Sequence, residues 1–275
     1  MNWHKAKTIM ILFLIAVNLS LLTYTVVDGY NQRSAETRVI ENAIGILSAN
    51  DIAVDRKVID GVDIKKSVKE VYAYNIISDY EGFAKLLIGN EVRLTQKNTY
   101  VSPSGKITFQ GDRFYTKASD NICLIAFNPT TKDIKSNVKT IFTQLGIAIN
   151  ENDISISENN GLHLAQISKS INKLPIFGSK IKMSFSASGI TSVEGAWYEP
   201  EIKEGSKINI RSISGCLIDY MNERKSNKPC TITKITLGYA TLDENTYHAS
   251  LVLTPVFAIE NNLGETIYID ARENI

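Results

Sequence analysis

The stretch KITFQGDRFYTK, residues 106–117, contains the clearest fold signal in the chain. Two segments that read as strands, Lys106–Gln110 and Arg113–Lys117, flank the dipeptide Gly111-Asp112, which is typical of a two-residue hairpin turn. Short turns of this kind join antiparallel strands, because a parallel pair needs a crossover of a dozen or more residues. The stretch therefore predicts an antiparallel sheet.

Helical patterns precede strand patterns elsewhere in the chain. Apolar side chains recur at helical spacing in residues 34–48, 79–88, 132–145 and from about 212 to 221. The run Asn50-Asp51-Ile52-Ala53-Val54 follows the first of these helices, and Asn152-Asp153-Ile154-Ser155-Ile156 follows the third. This similarity suggests an internal helix–strand duplication, and helices on one face of antiparallel sheets indicate the α+β class.

Residues 8–27, TIMILFLIAVNLSLLTYTVV, contain no charged side chain. At about 1.5 Å per residue, a helix of this length reaches roughly 30 Å, the thickness of the hydrocarbon core of a bilayer. The run is longer than the usual apolar region of a cleaved signal peptide, and no A-x-A-like pair follows it. We therefore predict an uncleaved transmembrane anchor, followed by a short break near Gly29 and then the helix at residues 34–48.

The flanks and the polar residues of this run give its expected orientation and contacts. Lys5 and Lys7 precede it, which predicts a cytoplasmic amino terminus and an exterior carboxy-terminal region. Asn18 lies inside it, and a carboxamide in hydrocarbon seeks a hydrogen-bond partner. One interpretation is an intramembrane helix–helix contact involving Asn18 with Ser20 or Thr25. The alternative is that Asn18 bonds its own helix backbone.

The predicted fold class is thus α+β, with a single N-terminal transmembrane helix followed by an extracytoplasmic region of repeated helix plus antiparallel sheet units. Pro129 and the two threonines after it mark the boundary between two lobes. The predicted organisation is a cytoplasmic amino terminus, a membrane anchor and two extracytoplasmic α+β lobes, at residues 1–7, 8–27, 28–128 and 129–275.

The overall composition excludes several classes of protein. Of the 275 residues, 44% are hydrophobic and 21% are charged, values close to the globular average, so extended disorder is not expected. The formal net charge is +1, which argues against a dedicated nucleic-acid partner. The exterior region is therefore expected to be globular and to bind no nucleic acid.

Motifs for catalysis, metals and cofactors are incomplete. The order His163, Cys230, Arg272 matches that of a sortase, but Ser226-Asn227-Lys228-Pro229 precedes the cysteine, unlike the Thr-Leu-x-Thr of sortases. Ser119-Asp120-Asn121 lacks the Lys-Thr-Gly of penicillin-binding enzymes. No clustered His or Cys ligands and no phosphate-binding glycine loop occur. We predict a protein that is not an enzyme and has no cofactor or metal.

Both ends of the chain resemble one protein family. The start MNWHKAKTI, residues 1–9, runs into the apolar span with Asn18 in its far half, as in YycI proteins. The carboxy-terminal pattern combines ITLGY at 235–239, LTPVFAI at 253–259, Gly264 and YIDA at 268–271. This ending is similar to that of the wider YycH/YycI group and of PepSY-like modules, although Phe257 stands where Trp is common.

The resemblance to the YycH/YycI family implies a role without catalysis. Proteins of that family regulate the WalK (YycG) sensor histidine kinase of low-GC Gram-positive bacteria. Their membrane helix associates with the membrane helices of the kinase and of YycH, and their exterior domain contacts that of YycH. The implied partners are the kinase, a YycH-like protein and membrane lipid. The alternatives are an anchored module that binds a wall polymer or peptide, and an anchored enzyme of unrecognised type.

Overall fold

The computed structural model describes residues 3–75, 77, 79–119, 124–126, 134–159, 162–186, 188–241 and 251–273. The side chains of residues 3–6, 8–9, 11–12, 16, 25–34, 125–126 and 159 are outside this description. Within it, the α-helices are α1 (Trp3–Ala49), α2 (Arg56–Asp60), α3 (Tyr80–Ile88), α4 (Ile134–Gln144) and α5 (Ile213–Glu223), and a short 3-10 helix covers Glu151–Asp153.

The strands in the same residues follow in chain order. They are β1 (Ile52–Val54), β2 (Ser67–Val68), β3 (Val71–Asn75), β4 (Arg93–Gln96), β5 (Thr99–Ser102), β6 (Gly105–Gln110), β7 (Arg113–Ala118), β8 (Ile125–Ala126), β9 (Ile154–Asn159), β10 (Leu162–Ile171), β11 (Leu174–Ser186), β12 (Gly189–Ala196), β13 (Tyr198–Ile202), β14 (Ile208–Asn209), β15 (Cys230–Ala240), β16 (Leu251–Asn261) and β17 (Thr266–Asp270).

The chain divides into two compact units. Unit 1 consists of Met1–Gly61, Ser212–Lys234 and Glu260–Ile267. Unit 2 consists of Val62–Arg211, Ile235–Ile259 and Tyr268–Ile275. The lobe boundary expected between residues 128 and 129 lies outside the described residues. Each unit combines segments that are distant in sequence, so its composition follows from tertiary contacts and not from a linker.

Unit 2 is dominated by a large sheet. Its hydrogen-bonded strand order is β13-β3-β16-β15-β11-β12-β7-β6-β5-β4, and β10 pairs with β11 and β9 away from this path. Most neighbours are antiparallel, including β10 with β11, β11 with β12, and β5 with β6. The mixed α+β class with a mainly antiparallel sheet is therefore confirmed.

The hairpin expected at residues 106–117 is also confirmed. β6 and β7 pair in antiparallel orientation, and Gln110 lies opposite Arg113 at the turn. Gly111 has a φ of 59°, a left-handed conformation that glycine adopts without a Cβ clash. Buried and exposed residues alternate along both strands, so one face of the sheet packs into the core and the other is open.

Helices α3 and α4 contribute to the core of unit 2. The Asp79 carboxylate accepts a hydrogen bond from the Gly82 backbone N–H (2.9 Å) and caps α3, whereas Gly146, with a φ of 75°, follows the end of α4. Phe83 of α3 packs edge-on against Phe114 of β7, with ring centroids 4.9 Å apart. The buried side chains of both helices and of the sheet form one hydrophobic cluster.

Unit 1 is built around the carboxyl end of α1. Ala43 and Leu47 are buried there, and α1 packs against α5. β1 comes directly after α1 and pairs in parallel with the start of β15, so that Ile52 lies opposite Cys230. The last turns of α1 are thus held by a helix and a strand from a much later part of the chain.

Two features differ from what the sequence suggests. The break expected near Gly29 is wrong, because α1 runs through Gly29 without interruption. A single glycine inside a helix costs only about 1 kcal/mol, which long flanking helices readily offset. The other feature is parallel pairing, of β1 with β15 and of β11 with β15 at Ile176 and Tyr239. Long intervening chain segments permit it, and turn lengths do not predict it.

The suggested duplication extends to element order and no further. β1 and β9 each follow a helix, as the similarity of residues 50–54 and 152–156 implies. However, β1 pairs in parallel with β15, whereas β9 pairs in antiparallel orientation with β10. The two similar segments therefore have different strand neighbours.

Residues 8–27, the expected anchor, all belong to α1. Among the residues that the structure describes, no helix is both long enough and apolar enough to cross a lipid bilayer. The transmembrane assignment of residues 8–27 therefore stays a prediction.

Candidate functional site: the first helix and the polar cluster at its carboxyl end

The amino-terminal half of α1 exposes large apolar side chains. We call residues 10–24 the apolar segment. Its exposed side chains are Met10, Phe13, Leu14, Ile15, Val17, Leu19, Leu21, Leu22 and Tyr24. Neighbours such as Phe13, Leu14 and Ile15 point in different directions around the helix, so the apolar surface is not a single stripe. A helix that is apolar all round is typical of burial in a core or in a membrane.

The five residues assigned to contact and topology all lie on this helix. Asn18 and Ser20 have exposed side chains within the apolar segment, and Lys7 is exposed before it. The backbones of Lys5 and Thr25 are helical, whereas their side chains lie outside the described residues. Asn18 and Ser20 are two positions apart, and residues at that spacing do not face the same side of a helix.

Asn18 differs from its polar neighbour Thr23 in its hydrogen bonding. The Thr23 hydroxyl donates to the Leu19 carbonyl oxygen of the preceding turn (2.8 Å). Within the described residues, the Asn18 carboxamide has no such intrahelical bond. Both interpretations of Asn18, an external partner and its own helix backbone, stay predictions.

The other end of α1 is packed, and we call residues 43–49 the packed end. The Leu47 side chain is 0% exposed, in contrast to 53% for Leu14 in the apolar segment. Beyond the packed end, the Asn50 side-chain amide donates to the Ile46 carbonyl oxygen (2.9 Å), and the Asn50 backbone N–H donates to that of Leu47 (2.9 Å). These bonds satisfy carbonyl groups that a helix end leaves without partners.

Arg224 links the end of α1 to the start of β15. Its Nη2 donates to the Asn50 carbonyl oxygen (3.2 Å), and its Nη1 donates to the Lys228 carbonyl oxygen (3.3 Å). The same Nη1 lies 3.6 Å from the Cys230 Sγ. A cation at a helix carboxyl end also interacts favourably with the helix dipole. The guanidinium therefore joins α1, the α5–β15 loop and β15 through one side chain.

A buried polar cluster lies next to Arg224 in unit 1. The Asn261 side-chain amide donates to the Tyr220 hydroxyl (3.0 Å) and to the Glu265 carboxylate (3.0 Å). The Tyr220 hydroxyl lies 3.8 Å from the Cys230 Sγ. Burial and the neighbouring Cys230 thiol raise the pKa of Tyr220 to about 12, although the bond from Asn261 acts in the opposite direction. The cluster fixes α5, β15 and the β16–β17 turn to one another.

Cys230 also lines a cavity of about 400 Å³ in unit 1, together with Ser48, Asp51, Ile52, Ala53, Pro229, Thr231 and Asn262. Cys216 and Cys230 are buried thiols and form no disulfide. In the described part of unit 1, the polar side chains in contact with the Cys230 sulfur are a phenol and a guanidinium. Neither a phenol nor a guanidinium acts as a general base at neutral pH.

The other two residues of the sortase-like order, His163 and Arg272, each lie beside a carboxylate. His163 Nδ1 lies 4.0 Å from the Glu158 carboxylate. Arg272 donates from Nη2 to the Asp270 carboxylate (2.6 Å). Burial raises the pKa of Asp270, but the hydrogen bonds from Arg272 outweigh it and lower the pKa below its ordinary value. Among the described residues, no group of three His, Cys, Asp or Glu side chains could hold a metal ion.

Sequence patterns do not single out Arg224, Tyr220 and Asn261 as a group. They lie on different elements and belong to no recognised motif. A cation just after α5 is a common end signal, but it does not indicate that the guanidinium reaches the end of α1. Only the tertiary structure brings these residues together.

Comparisons with known proteins leave the family open. No family model matches this chain, and no curated protein matches it significantly. An uncharacterized protein from Eubacterium rectale ATCC 33656 is 11% identical, with a TM-score of 0.47, over 82% of this chain and 91% of that chain. The Bacillus megaterium YpeB C-terminal domain is 10% identical, with a TM-score of 0.31, over 72% and 94% respectively. Such low scores support no functional inference, so membership of the YycH/YycI family stays a prediction.

Proposed function

We propose that this protein is a membrane-anchored accessory regulator of a cell-wall-sensing two-component histidine kinase. In this proposal residues 8–27 cross the membrane once, with the amino terminus in the cytoplasm and residues 28–275 outside. The protein acts through contacts with the kinase and a YycH-like protein, not through catalysis. The proposal rests on the resemblance at both ends of the chain and on the geometry of α1.

The observation that supports it most is the continuity of α1. One helix of 47 residues contains both the apolar segment and the packed end. At about 1.5 Å per residue it extends roughly 70 Å, so a helix that crosses a bilayer would continue well into the exterior region. A displacement or rotation of the apolar segment would then reach the packing around Leu47 and Arg224 without passing through a flexible joint.

The proposed mechanism is a population shift. A kinase that exchanges between two signalling states is biased only by a partner that binds one state more tightly. The exposed Asn18 carboxamide supplies a contact of the required kind, because an interhelical hydrogen bond in the membrane contributes roughly 0.6–2 kcal/mol. A difference of this size between the two states shifts their ratio by about threefold to thirtyfold.

The decisive experiment is co-purification from membranes solubilised in mild detergent at native expression, with mass spectrometry of the recovered proteins. Intact protein and Asn18→Leu are compared side by side. We expect intact protein to recover a multi-domain sensor kinase, and Asn18→Leu to recover about threefold to thirtyfold less, because the interhelical bond is lost.

Val17→Leu is a matched control, since Val17 is exposed in the same segment and carries no hydrogen-bonding group. A loss restricted to Asn18→Leu assigns the contact to that position. If neither the intact protein nor Asn18→Leu recovers a kinase, the accessory role is wrong, and an exterior binding module becomes the better proposal.

A further inference from the structure

Unit 2 contains a basic pocket that is separate from the features discussed so far. Its volume is about 330 Å³, within the range of small-molecule sites. The pocket is lined by Lys65, Ser67, Val68, Lys69, Asn172, Leu174, Gly205, Ser206, Lys207 and Tyr239. We call these residues the lysine pocket. They come from the segment around β2, the β10–β11 turn, the loop before β14, and β15.

Hydrogen bonds between side chains and the main chain hold the segments of this pocket together. The Lys65 ammonium donates to the Asn172 carbonyl oxygen (3.0 Å), and the Tyr239 hydroxyl donates to the Lys69 carbonyl oxygen (2.7 Å). The Ser206 hydroxyl donates to the Lys203 carbonyl oxygen (2.7 Å) and accepts from the Glu70 backbone N–H (2.9 Å). Pairing of β2 with β14 joins two of the segments directly. A ligand would therefore meet walls that are already in place.

The hydrogen bonds that hold the lysine pocket together do not neutralise the positive charges of its lysines. Within the described residues, Lys65, Lys69 and Lys207 form no ion pair, and no carboxylate is among the lining residues. Nearby Lys203, which is not a lining residue, is by contrast paired with Glu70 (2.9 Å). Burial raises the pKa of Tyr239 to about 12, so its phenol adds no negative charge at neutral pH.

The floor of the pocket is apolar. Val68, Leu174 and Tyr239 are buried, whereas Lys69 and Lys207 are exposed. A small ligand seated on this floor would be approached by three ammonium groups. The Ser67 hydroxyl and the Asn172 side-chain amide, which make no hydrogen bond among the described residues, supply neutral donors beside them.

We infer that the lysine pocket is a binding site for a phosphate group of a small molecule, a polymer or a lipid headgroup. Ammonium groups bind phosphate as point charges, and three of them suffice to neutralise it and to donate to several of its oxygens. No arginine lines this pocket, so the contacts to the phosphate would come from ammonium groups and from neutral donors. The inference does not depend on the proposed kinase contact.

The test uses the full-length chain in detergent micelles or in nanodiscs of neutral lipid. Isothermal calorimetry measures binding of sn-glycerol 3-phosphate and of inorganic phosphate, and hydrogen exchange follows the backbone amides of residues 65–69 and 205–207. The variant is Lys69→Glu with Lys207→Glu, because these side chains are exposed and make no hydrogen bond among the described residues.

Lys106→Glu with Lys117→Glu is the matched control. These lysines lie opposite each other on β6 and β7, and the change in net charge is the same. We expect glycerol phosphate binding to weaken at least about tenfold in the pocket variant and to change less than about twofold in the control, since charge interactions are short-ranged at physiological salt.

The two sources of phosphate are separated by a further arm with phosphatidylglycerol in the nanodisc. Protection of the pocket amides by glycerol phosphate alone supports a soluble or polymeric ligand, and protection by phosphatidylglycerol supports a headgroup. Protection by neither probe overturns the inference. It is also overturned if both variants lose binding equally, or if acetate binds as tightly as phosphate.

Discussion

The two ends of α1 have similar apolar residues but opposite environments. In the apolar segment the large side chains are exposed, whereas at the packed end Leu47 is fully buried between elements of unit 1. Both regions belong to one uninterrupted helix, so local conformation does not distinguish them. The difference arises because α5 and β1 cover only the packed end. An apolar helix is therefore interpretable only together with what covers it.

The largest expected effect concerns the packed end. Leu47→Ala removes a side chain that is 0% exposed, and truncation of a buried leucine costs about 2–5 kcal/mol. We expect this loss in the free energy of opening of unit 1, measured by hydrogen exchange of β1 and α5 amides. Because a protein with more than one compact unit need not unfold in one step, a measurement specific to unit 1 is needed.

Ile46→Ala is the control, because Ile46 is the adjacent residue and is 47% exposed. A change within about 0.5 kcal/mol is expected there, as for most exposed positions. Equal losses for the two variants would contradict the contrast between covered and uncovered sides of the packed end.

The second prediction separates the two ends of α1. Glu36 is exposed in the middle of the helix, and Glu36→Pro removes a backbone N–H and costs about 3 kcal/mol locally. We expect the variant to recover the same kinase as the intact protein but to lose its effect on kinase autophosphorylation. Glu36→Ala, which keeps the helix, is expected to behave like the intact protein. Normal regulation by Glu36→Pro would show that helix continuity is not required.

The third prediction concerns the polar cluster that holds the packed end in place. Tyr220→Phe removes the hydroxyl that accepts from Asn261, and an unsatisfied buried donor costs about 1–3 kcal/mol. We expect the backbone amides of α5 and β15 to lose protection against hydrogen exchange in Tyr220→Phe. Tyr24→Phe, in the apolar segment, should change the protection of these amides little. An unchanged protection in Tyr220→Phe would mean that another acceptor replaces the phenol.

The Tyr220 hydroxyl also makes the stability of unit 1 depend on pH. Because the pKa of Tyr220 is raised from its ordinary value of 10.0 to about 12, its contribution to stability is complete below pH 10 and is lost as the pH rises towards 12. Alkaline unfolding of unit 1 should be less steep in this range in Tyr220→Phe than in the intact protein.

The smallest effect is expected at Arg224. Arg224→Gln shortens the link to the Asn50 carbonyl oxygen, and such hydrogen bonds contribute roughly 0.5–1.5 kcal/mol each. The expected result is faster hydrogen exchange at the end of α1 with little change elsewhere in unit 1. Lys225→Gln, the adjacent residue, is the control. Equal effects of the two variants would indicate a general charge effect and not the link itself.

Much of the secondary structure follows from short sequence patterns. The hairpin at residues 106–117 was predictable because a two-residue turn and its flanking strands are set by neighbouring residues. The same holds for α3 and α5, which were predicted as helices at residues 79–88 and from about 212 to 221. These interactions act over a few residues, and the chain sequence contains all of them.

The polar cluster and the lysine pocket were not predictable in this way. Tyr220, Cys230 and Asn261 meet only because α5, β15 and β16 pack together. The parallel pairing of β1 with β15 likewise joins residues 52–54 to residues 230–232. No local sequence pattern specifies such a strand pair, because the free energy of its formation depends on how all the intervening elements of the chain fold.

The sequence by itself determined the helix and strand patterns, the mixed α+β class and the apolar character of residues 8–27. Local propensity, turn chemistry and hydrophobic spacing are sufficient for these features. Only the tertiary structure decided which end of α1 is covered, that Arg224 joins that end to β15, and that three lysines surround one pocket. These depend on long-range packing, where burial and pairing of distant segments outweigh the preferences of any single stretch.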